Sequence, residues 1–580
     1  MHRRASRSRI LAVAAAGILA LTLIPAASVA AAKTGPLGTY QHLVVIYEEN
    51  HSFDNLYGTW GPVNGQPIEG LQAVAQRAQD GSTYQCLLQK DVNLAAPTPL
   101  SATCGPETVT LGNGSTTTYV SHFANAPFLI DDYIPATATT CPDRGHLFSF
   151  PNGTLDGNGL PGGCTRDLVH RFYQEQYQLD GGAMDRYVTG SDAAGLTMGH
   201  YDSTALPIYR YLHENGAPKY VIADHFFQAA FGGSFVNHQY LIAAQPLGWT
   251  GMPAAQHSIL DANGFPNASY PLYRPATAVA DKAGTQGCGL ATTIAGLACG
   301  DYAVNTVQPP YQPTSPFGAQ VPAVDDTARP MNIGDELSDA GVSWAWYSGG
   351  WDNASGNVGG LGWTNGSGPT CADPNSAPAA TVGGATGGFP FCPDKSFQTH
   401  HQPFNYFARY APGTPDRAAH LKDEQDFLAA TAAGALPAVS FVKPLGIDNE
   451  HPGYASEPNG SDHLVDLIQA VENGPQAGNT LIVVTYDEFG GQADHVPPPG
   501  LGTAGAHDAF GPGTRIPALL VARSFTTSGV DHDVFDTTSI LATIEHQWGL
   551  APVGAFDSVA ARDGSVADLG SAVLIGRRSH

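Results

Sequence analysis

Short runs of apolar, β-branched residues recur along the chain, separated by stretches of helical pattern. Leu43–Tyr47, Tyr220–Ala223, Val342–Tyr347, Val439–Val442, Leu481–Tyr486 and Pro517–Val521 read as strands. Each is nearly continuous in its hydrophobicity, the pattern of a strand covered on both faces. Asp462–Val471 behind Ser461, and Ser539–Trp548 behind Thr537 and Thr538, read as capped helices. This alternation predicts an α/β fold: a doubly wound, mostly parallel central sheet with helices on both faces. The Gly-rich stretches 61–118, 251–327 and 349–391 have little periodicity and are expected to be loop insertions. No internal repeat is visible, so residues 31–580 are expected to form one domain with those insertions.

The first 30 residues have a different pattern. Arg3, Arg4, Arg7 and Arg9 precede an apolar run from Ile10 to Ile24 and then small residues up to Ala30. That order is a signal peptide and predicts a secreted or periplasmic protein, the export route being left open. No other stretch approaches the roughly 18 apolar residues of a membrane span, so the mature chain is expected to lack an integral membrane segment. The eight cysteines fall in neighbouring couples: Cys86 with Cys104, Cys141 with Cys164, Cys288 with Cys299, and Cys371 with Cys392. For an exported protein, disulfides between neighbours are the simplest arrangement. The C-x-x-C spacing of a thiolate zinc site is missing.

Charge narrows the partners. Lys and Arg total 26 against 51 Asp and Glu, a net −25, which argues against nucleic acid or an anionic membrane surface as the main partner. Anionic phosphate would have to be attracted by a local basic or metal-lined site. In a doubly wound sheet ligands sit beyond the carboxyl ends of the strands. Two such ends carry chemistry: Leu43–Tyr47 runs into Glu48, Glu49, Asn50 and His51, and Leu481–Tyr486 into Asp487, Glu488, Phe489 and Gly490. Adjacent acids ending a buried strand repel one another and lose solvation unless a cation or an extra proton is present. A polar strand end is ordinary by itself; two acidic ends of this kind point to a metal held by hard oxygen ligands.

These residues resemble the bacterial phosphoesterase family that contains secreted acid phosphatases and phospholipases C, within the alkaline phosphatase superfamily. Glu49-Asn50-His51-Ser52-Phe53-Asp54 is similar to its E-N-x-S-F-D signature. Asp167-Leu168-Val169-His170, Gly181–Asp185, Met198–Asp202, Asp224–Phe227, His401–Phe404, Glu450-His451-Pro452, Tyr486–Gly491 and Asp494-His495-Val496 follow in the family's order. The resemblance implies an alkaline phosphatase-like fold and a hydrolase of phosphoric esters. It also implies that Ser234, in Phe231-Gly232-Gly233-Ser234-Phe235-Val236-Asn237-His238, attacks phosphorus, with Asn237 supporting the developing charge. A serine hydroxyl needs a base or a metal to become a nucleophile, so one divalent cation, of the calcium or magnesium type, is expected on Glu49, Asn50, Ser234, Asp487 and Glu488. His170 and His451, with His401, are implied to hold the phosphoryl oxygens as imidazolium donors, which predicts a mildly acidic optimum. His495 is expected to support the acids, and Lys443 to contact phosphate or to be a surface lysine.

Other hydrolase patterns fit less well: Cys141-Pro142-Asp143-Arg144 lacks sulfatase spacing, and Gly232–Val236 lacks the last glycine of a G-x-S-x-G elbow. A catalytically inactive surface-binding protein would explain the Gly-rich loops but not the ordered acids, serine and histidines. Ser234 in its F-G-G-S-F-x-N-H setting resembles the acid phosphatase branch, so the first expectation is a phosphomonoesterase with a phosphoserine intermediate. Phospholipase C is the alternative, with a small phosphate ester or a phospholipid as the respective substrate.

Overall fold

In the computed structural model, strands of the predicted apolar runs line up in one eight-stranded sheet. We number its strands β1 (His42–Glu48), β2 (Lys219–Ala223), β3 (Trp344–Ser348), β4 (Leu421–Asp423), β5 (Val439–Lys443), β6 (Thr480–Tyr486), β7 (Ala518–Ala522) and β8 (Gly529–Asp531). The description covers residues 35–578 without 79, 89–106, 111–115, 120–121, 133–166, 192–193, 263, 266–280, 315–318, 367–390, 395 and 554–561. The signal peptide and much of the Gly-rich stretches therefore lie outside the described residues.

The order across the sheet is β4-β3-β5-β1-β6-β7-β2-β8. Every neighbouring pair is parallel except the two made by β7, so the sheet is mixed but mostly parallel. All seven residues of β6 are buried, which requires cover on both faces. Full burial of Leu481, Ile482, Val483 and Val484 contributes roughly 1.5–3 kcal/mol per side chain before entropy is subtracted. The helices used below are α1 (Phe53–Leu56), α2 (Phe172–Leu179), α3 (Pro207–Leu212), α4 (Ser234–Ala243), α5 (Glu424–Ala433), α6 (Glu457–Glu472) and α7 (Thr538–Trp548). One group packs α3 and α5 against α6, and another packs α4 against α7.

Both predicted helices exist with different starts. α6 begins a turn earlier than its apolar pattern, capped by Ser456, whose side chain accepts from Asn459 N, with Pro458 in the first turn. Ser461 is interior instead, and its hydroxyl accepts from Ile208 N at 3.1 Å, tying α3 to α6. At α7, Thr537 already has helical angles and caps nothing; Asp536 Oδ1 accepts from Thr538 N at 2.7 Å. Strands β4 and β8 were not in the expected set, because three residues carry too little alternation to stand out.

Of the four expected cysteine couples, the structure describes one in full. Cys288 and Cys299 form the predicted disulfide, with Cα atoms 4.8 Å apart. Cys86 and Cys392 are also bonded, while their expected partners, Cys104 and Cys371, lie outside the described residues. Cys141 and Cys164 both lie outside the described residues, so a bond between Cys141 and Cys164 stays an expectation from sequence. Among the described residues no helix is long and apolar enough to cross a membrane.

Candidate active site

The site starts from strand register. β1 and β6 are parallel neighbours with Glu48 opposite Tyr486, so the residues that follow, Glu49-Asn50 and Asp487-Glu488, leave the sheet side by side. Asn50 takes the left-handed region (φ 59°), which asparagine tolerates better than most residues. This turn lets Asn50 N donate to Asp487 Oδ1 at 3.0 Å, and Glu488 N donates to the same oxygen at 2.8 Å. Gly490 (φ 62°) closes the second turn, where a Cβ would come within 2.2 Å of Asn50 O.

Ser234 is brought to this corner as the first residue of α4. Gly232 takes φ 93°, and a Cβ there would press on the backbone of Phe172 at 2.8 Å. Ser234 Oγ donates towards Glu49 Oε2 and Glu488 Oε1, both at 3.3 Å, and lies 3.5 Å from Asn50 Oδ1. The first-turn N–H groups of α4 have no intrahelical partner, so they and the helix dipole favour an anion beside Ser234. A cavity of about 520 Å³ opens alongside, lined by Asp167, His170, Arg171, Gly233, Lys282 and Asn305 among others.

Three carboxylates, Glu49, Asp487 and Glu488, are fully buried here. Burial, and for Glu49 and Glu488 the repulsion of Asp487, raises all three above the usual carboxylate range. Asp487 Oδ2 has no hydrogen-bond partner. The oxygens also face one another through Asn50. His451 Nδ1 sits 2.8 Å from Pro452 O, which only accepts, so this nitrogen carries the proton. Burial pushes the His451 pKa well down, leaving Nε2 a lone pair that takes the Asn50 amide N–H at 3.2 Å. Asn50 Oδ1 is thereby turned toward the carboxylates. Turning the amide over would place its nitrogen 2.8 and 3.0 Å from Glu488 Oε1 and Glu49 Oε2, but would set oxygen against the His451 lone pair. Buried oxygens that converge and repel one another in this way are the donor set a hard cation satisfies, so Glu49, Asn50, Asp487 and Glu488 fit one.

Lys443 is neither a surface lysine nor free for phosphate: its ammonium lies 2.6 Å from Glu49 Oε1 and donates to Tyr47 O at 3.0 Å, 1% exposed. It offsets part of the acidic charge. His401 and His451 are also reassigned. His401 Nδ1 is 3.2 Å from Glu49 Oε1 and its ring stacks on His238, while His451 orients Asn50. Desolvation holds both well below the ordinary imidazole value, which favours the neutral rings over the imidazolium expected from sequence. His170 differs, with Nε2 3.3 Å from Glu488 Oε1 and its side chain open to the cavity. His495 supports other acids: its Nδ1 is 2.6 Å from Asp54 Oδ2, and Asp54 in turn binds Arg515.

The Asn237 side chain is committed to the loop before Ser234. Its amide donates to Ala230 O, Gly232 O and Gly233 O at 3.1–3.2 Å, and its oxygen accepts from Ala230 N at 2.9 Å. It therefore holds the loop that presents Ser234. Asn237→Ala should leave several buried carbonyls with fewer partners and lower stability by about 1–3 kcal/mol, measurable as a denaturation midpoint. An unchanged midpoint would contradict this role. Two residues of the site escaped the sequence reading. His238, one turn after Ser234, has Nδ1 2.8 Å from Ser234 O and lies 3.8 Å from Asp487 Oδ2; its i+4 spacing was the available signal. Glu175, in α2, is buried and accepts from Gly232 N, from Thr514 N at 2.8 Å and from Gln228 at 2.9 Å, bracing the same loop from below.

The sequence profile of the phosphoesterase family matches residues 40–551. Phospholipase C A of Mycobacterium tuberculosis is 23% identical over 601 residues, covering 99% of this chain and 85% of its own. Non-specific phospholipase C6 of Arabidopsis thaliana is 28% identical over 145 residues, 21% of this chain and 28% of its own. Among solved structures, a protein in the alkaline phosphatase superfamily from Vibrio parahaemolyticus aligns with 38% of this chain and 48% of its own, with a TM-score of 0.19 and 12% identity.

Proposed function

Because the chain belongs to the phosphoesterase family and is a hydrolase of phosphoric ester bonds, we propose that it is a phospholipase C that uses Ser234 as its nucleophile. The placement of Ser234 Oγ between Glu49 and Glu488, at the start of α4, carries the covalent route. The likeness to phospholipase C A along nearly the whole chain supports a phospholipid diester as substrate.

A divalent cation on Glu49, Asn50, Asp487 and Glu488 would supply Lewis acidity, lowering the pKa of the Ser234 hydroxyl and offsetting phosphate charge. The chain's own groups do the rest. Lys443 and His401 fix Glu49, and His451 fixes Asn50. The first-turn amides of α4 hold a phosphoryl oxygen. Ser234 Oγ forms a bond to phosphorus as the bond to the glycerol oxygen breaks, and the serine proton leaves through Glu488 Oε1, 3.3 Å away, toward His170 Nε2, 3.3 Å beyond. His170, facing the cavity, passes a proton to that leaving oxygen. Water then attacks the phosphoseryl ester, releases the phosphorylated headgroup and regenerates the serine.

A second reading, an acid phosphatase acting on monoesters, is favoured by the serine in its F-G-G-S-F-x-N-H setting and by the polar lining of the cavity. Phosphatidylcholine in mixed micelles and p-nitrophenyl phosphate separate the two. We expect diacylglycerol release to exceed monoester hydrolysis in kcat/KM by at least about tenfold, a preference of some 1.4 kcal/mol. Hydrolysis of the monoester alone would reject the lipase in favour of the phosphatase. We place the protein outside the cytoplasm, supported by the Cys288–Cys299 disulfide and the signal-like N-terminus.

A further inference from the structure

The carboxyl edge of the sheet carries a second pair of converging strand ends, on the other side of β7. β2 and β8 run parallel with Ala223 opposite Asp531, so the residues that follow, Asp224 and His532, emerge beside each other, with His225 next in the chain. We propose that Asp224, His225 and His532 form a second metal site, which takes a divalent transition ion of the zinc class through two imidazoles and one carboxylate.

Asp224 Oδ1 is 2.9 Å from His532 Nδ1 and 3.3 Å from His225 Nδ1, and the ligand atoms lie within 4.8 Å of one another. Donors about 2.0–2.2 Å from a zinc ion stand roughly 3.0–3.5 Å apart in tetrahedral or octahedral arrangement. The surrounding groups prepare these atoms for an ion. Glu69 Oε2 lies 2.9 Å from His225 Nε2, the carboxylate–histidine support common behind metal ligands, and leaves Nδ1 facing Asp224. Glu69 N donates to Asp224 Oδ2 at 2.7 Å, leaving Oδ1 turned to the imidazoles, although Oδ2 also lies 3.0 Å from His532 Nδ1. Arg515 donates to Asp224 O at 3.0 Å and to Glu69 O at 2.7 Å, pinning both ligand-bearing segments.

A separate feature points the same way. His495 is 91% buried, its Nε2 has no hydrogen-bond partner, and it approaches Glu69 Oε1, the other oxygen of the supporting carboxylate, at 3.6 Å. Asp224 is fully buried while His532 is half exposed, so an ion here would keep positions open to solvent. Two nitrogens in the donor set favour zinc-class ions over calcium or magnesium, unlike the oxygen set around Ser234. No residue is shared between the two sites.

The test uses the full chain, stripped of metal and dialysed against zinc, with metal content and affinity compared in wild type, His532→Ala, Glu69→Gln and Glu49→Ala. His532→Ala should lose one zinc equivalent, or bind it at least about 100-fold more weakly. Glu69→Gln should keep the equivalent but weaken it by about 10–100-fold. Glu49→Ala should retain it, together with the visible cobalt absorption of the substituted site. Because His532 is half exposed, its replacement leaves the fold in place. Equal zinc content and affinity in wild type and His532→Ala would overturn the proposal, as would loss of the high-affinity equivalent in Glu49→Ala alone.

Discussion

Ser234→Ala is expected to lower turnover by on the order of 10⁴- to 10⁶-fold while leaving the fold intact. The hydroxyl is the one group at the start of α4 that points at both Glu49 and Glu488, and it caps nothing in the helix. Its removal deletes the atom that would bond to phosphorus but no structural hydrogen bond to backbone, so the cost in stability should stay within about 1 kcal/mol. Asn237→Ala is expected to behave in the opposite sense, because its side chain is spent on securing the loop. Comparing the two variants separates chemistry from positioning. Rapid quench with labelled substrate should trap label on the peptide containing Ser234. Near-normal turnover in Ser234→Ala, or label on His170 instead, would replace the serine route with direct attack by water or with a phosphohistidine.

The central sheet was legible because its six longer strands are mostly apolar, short and rich in β-branched residues, the pattern of a strand buried on both faces. The acids after β1 and β6 were legible because two buried strands ending in adjacent acids need a cation or a proton to offset their repulsion. What the sequence could not convey was depth. Lys443 reads as a strand-terminal lysine, yet it is buried because Glu49 emerges one strand away, a neighbour set only by the β5-β1 pairing. His401 and His451 were expected to be charged donors, but charge on an imidazole depends on solvent access, and both lie where water is excluded. Asn237 shows the same limit, since a side chain three residues after Ser234 can face a pocket or the loop, and α4 turns it to the loop. The helix starts were misplaced where Pro458 and Asn459 interrupt the apolar period although Ser456 and Pro458 form a good helix N-terminus.

Removal of divalent cations should abolish hydrolysis and restored metal should recover it, and the same treatment should change how stability depends on pH. Without a cation, Glu49, Asp487 and Glu488 share one buried corner with a single ammonium, that of Lys443, and all three hold protons more tightly than in the unfolded chain. A carboxyl raised in the folded state binds more protons than its unfolded counterpart once pH exceeds the ordinary value of about 4, so stability falls as pH rises beyond that point. Each unit of upward displacement is worth about 1.4 kcal/mol at a pH above both values. The metal-free protein should therefore have a lower denaturation midpoint at pH 8 than at pH 5. A bound cation favours the ionised carboxylates, which reverses the cost and should raise the midpoint most at pH 8. Full activity in protein shown by elemental analysis to be metal-free, or midpoints at pH 8 that ignore the cation, would mean that the buried acids are kept neutral by protons alone.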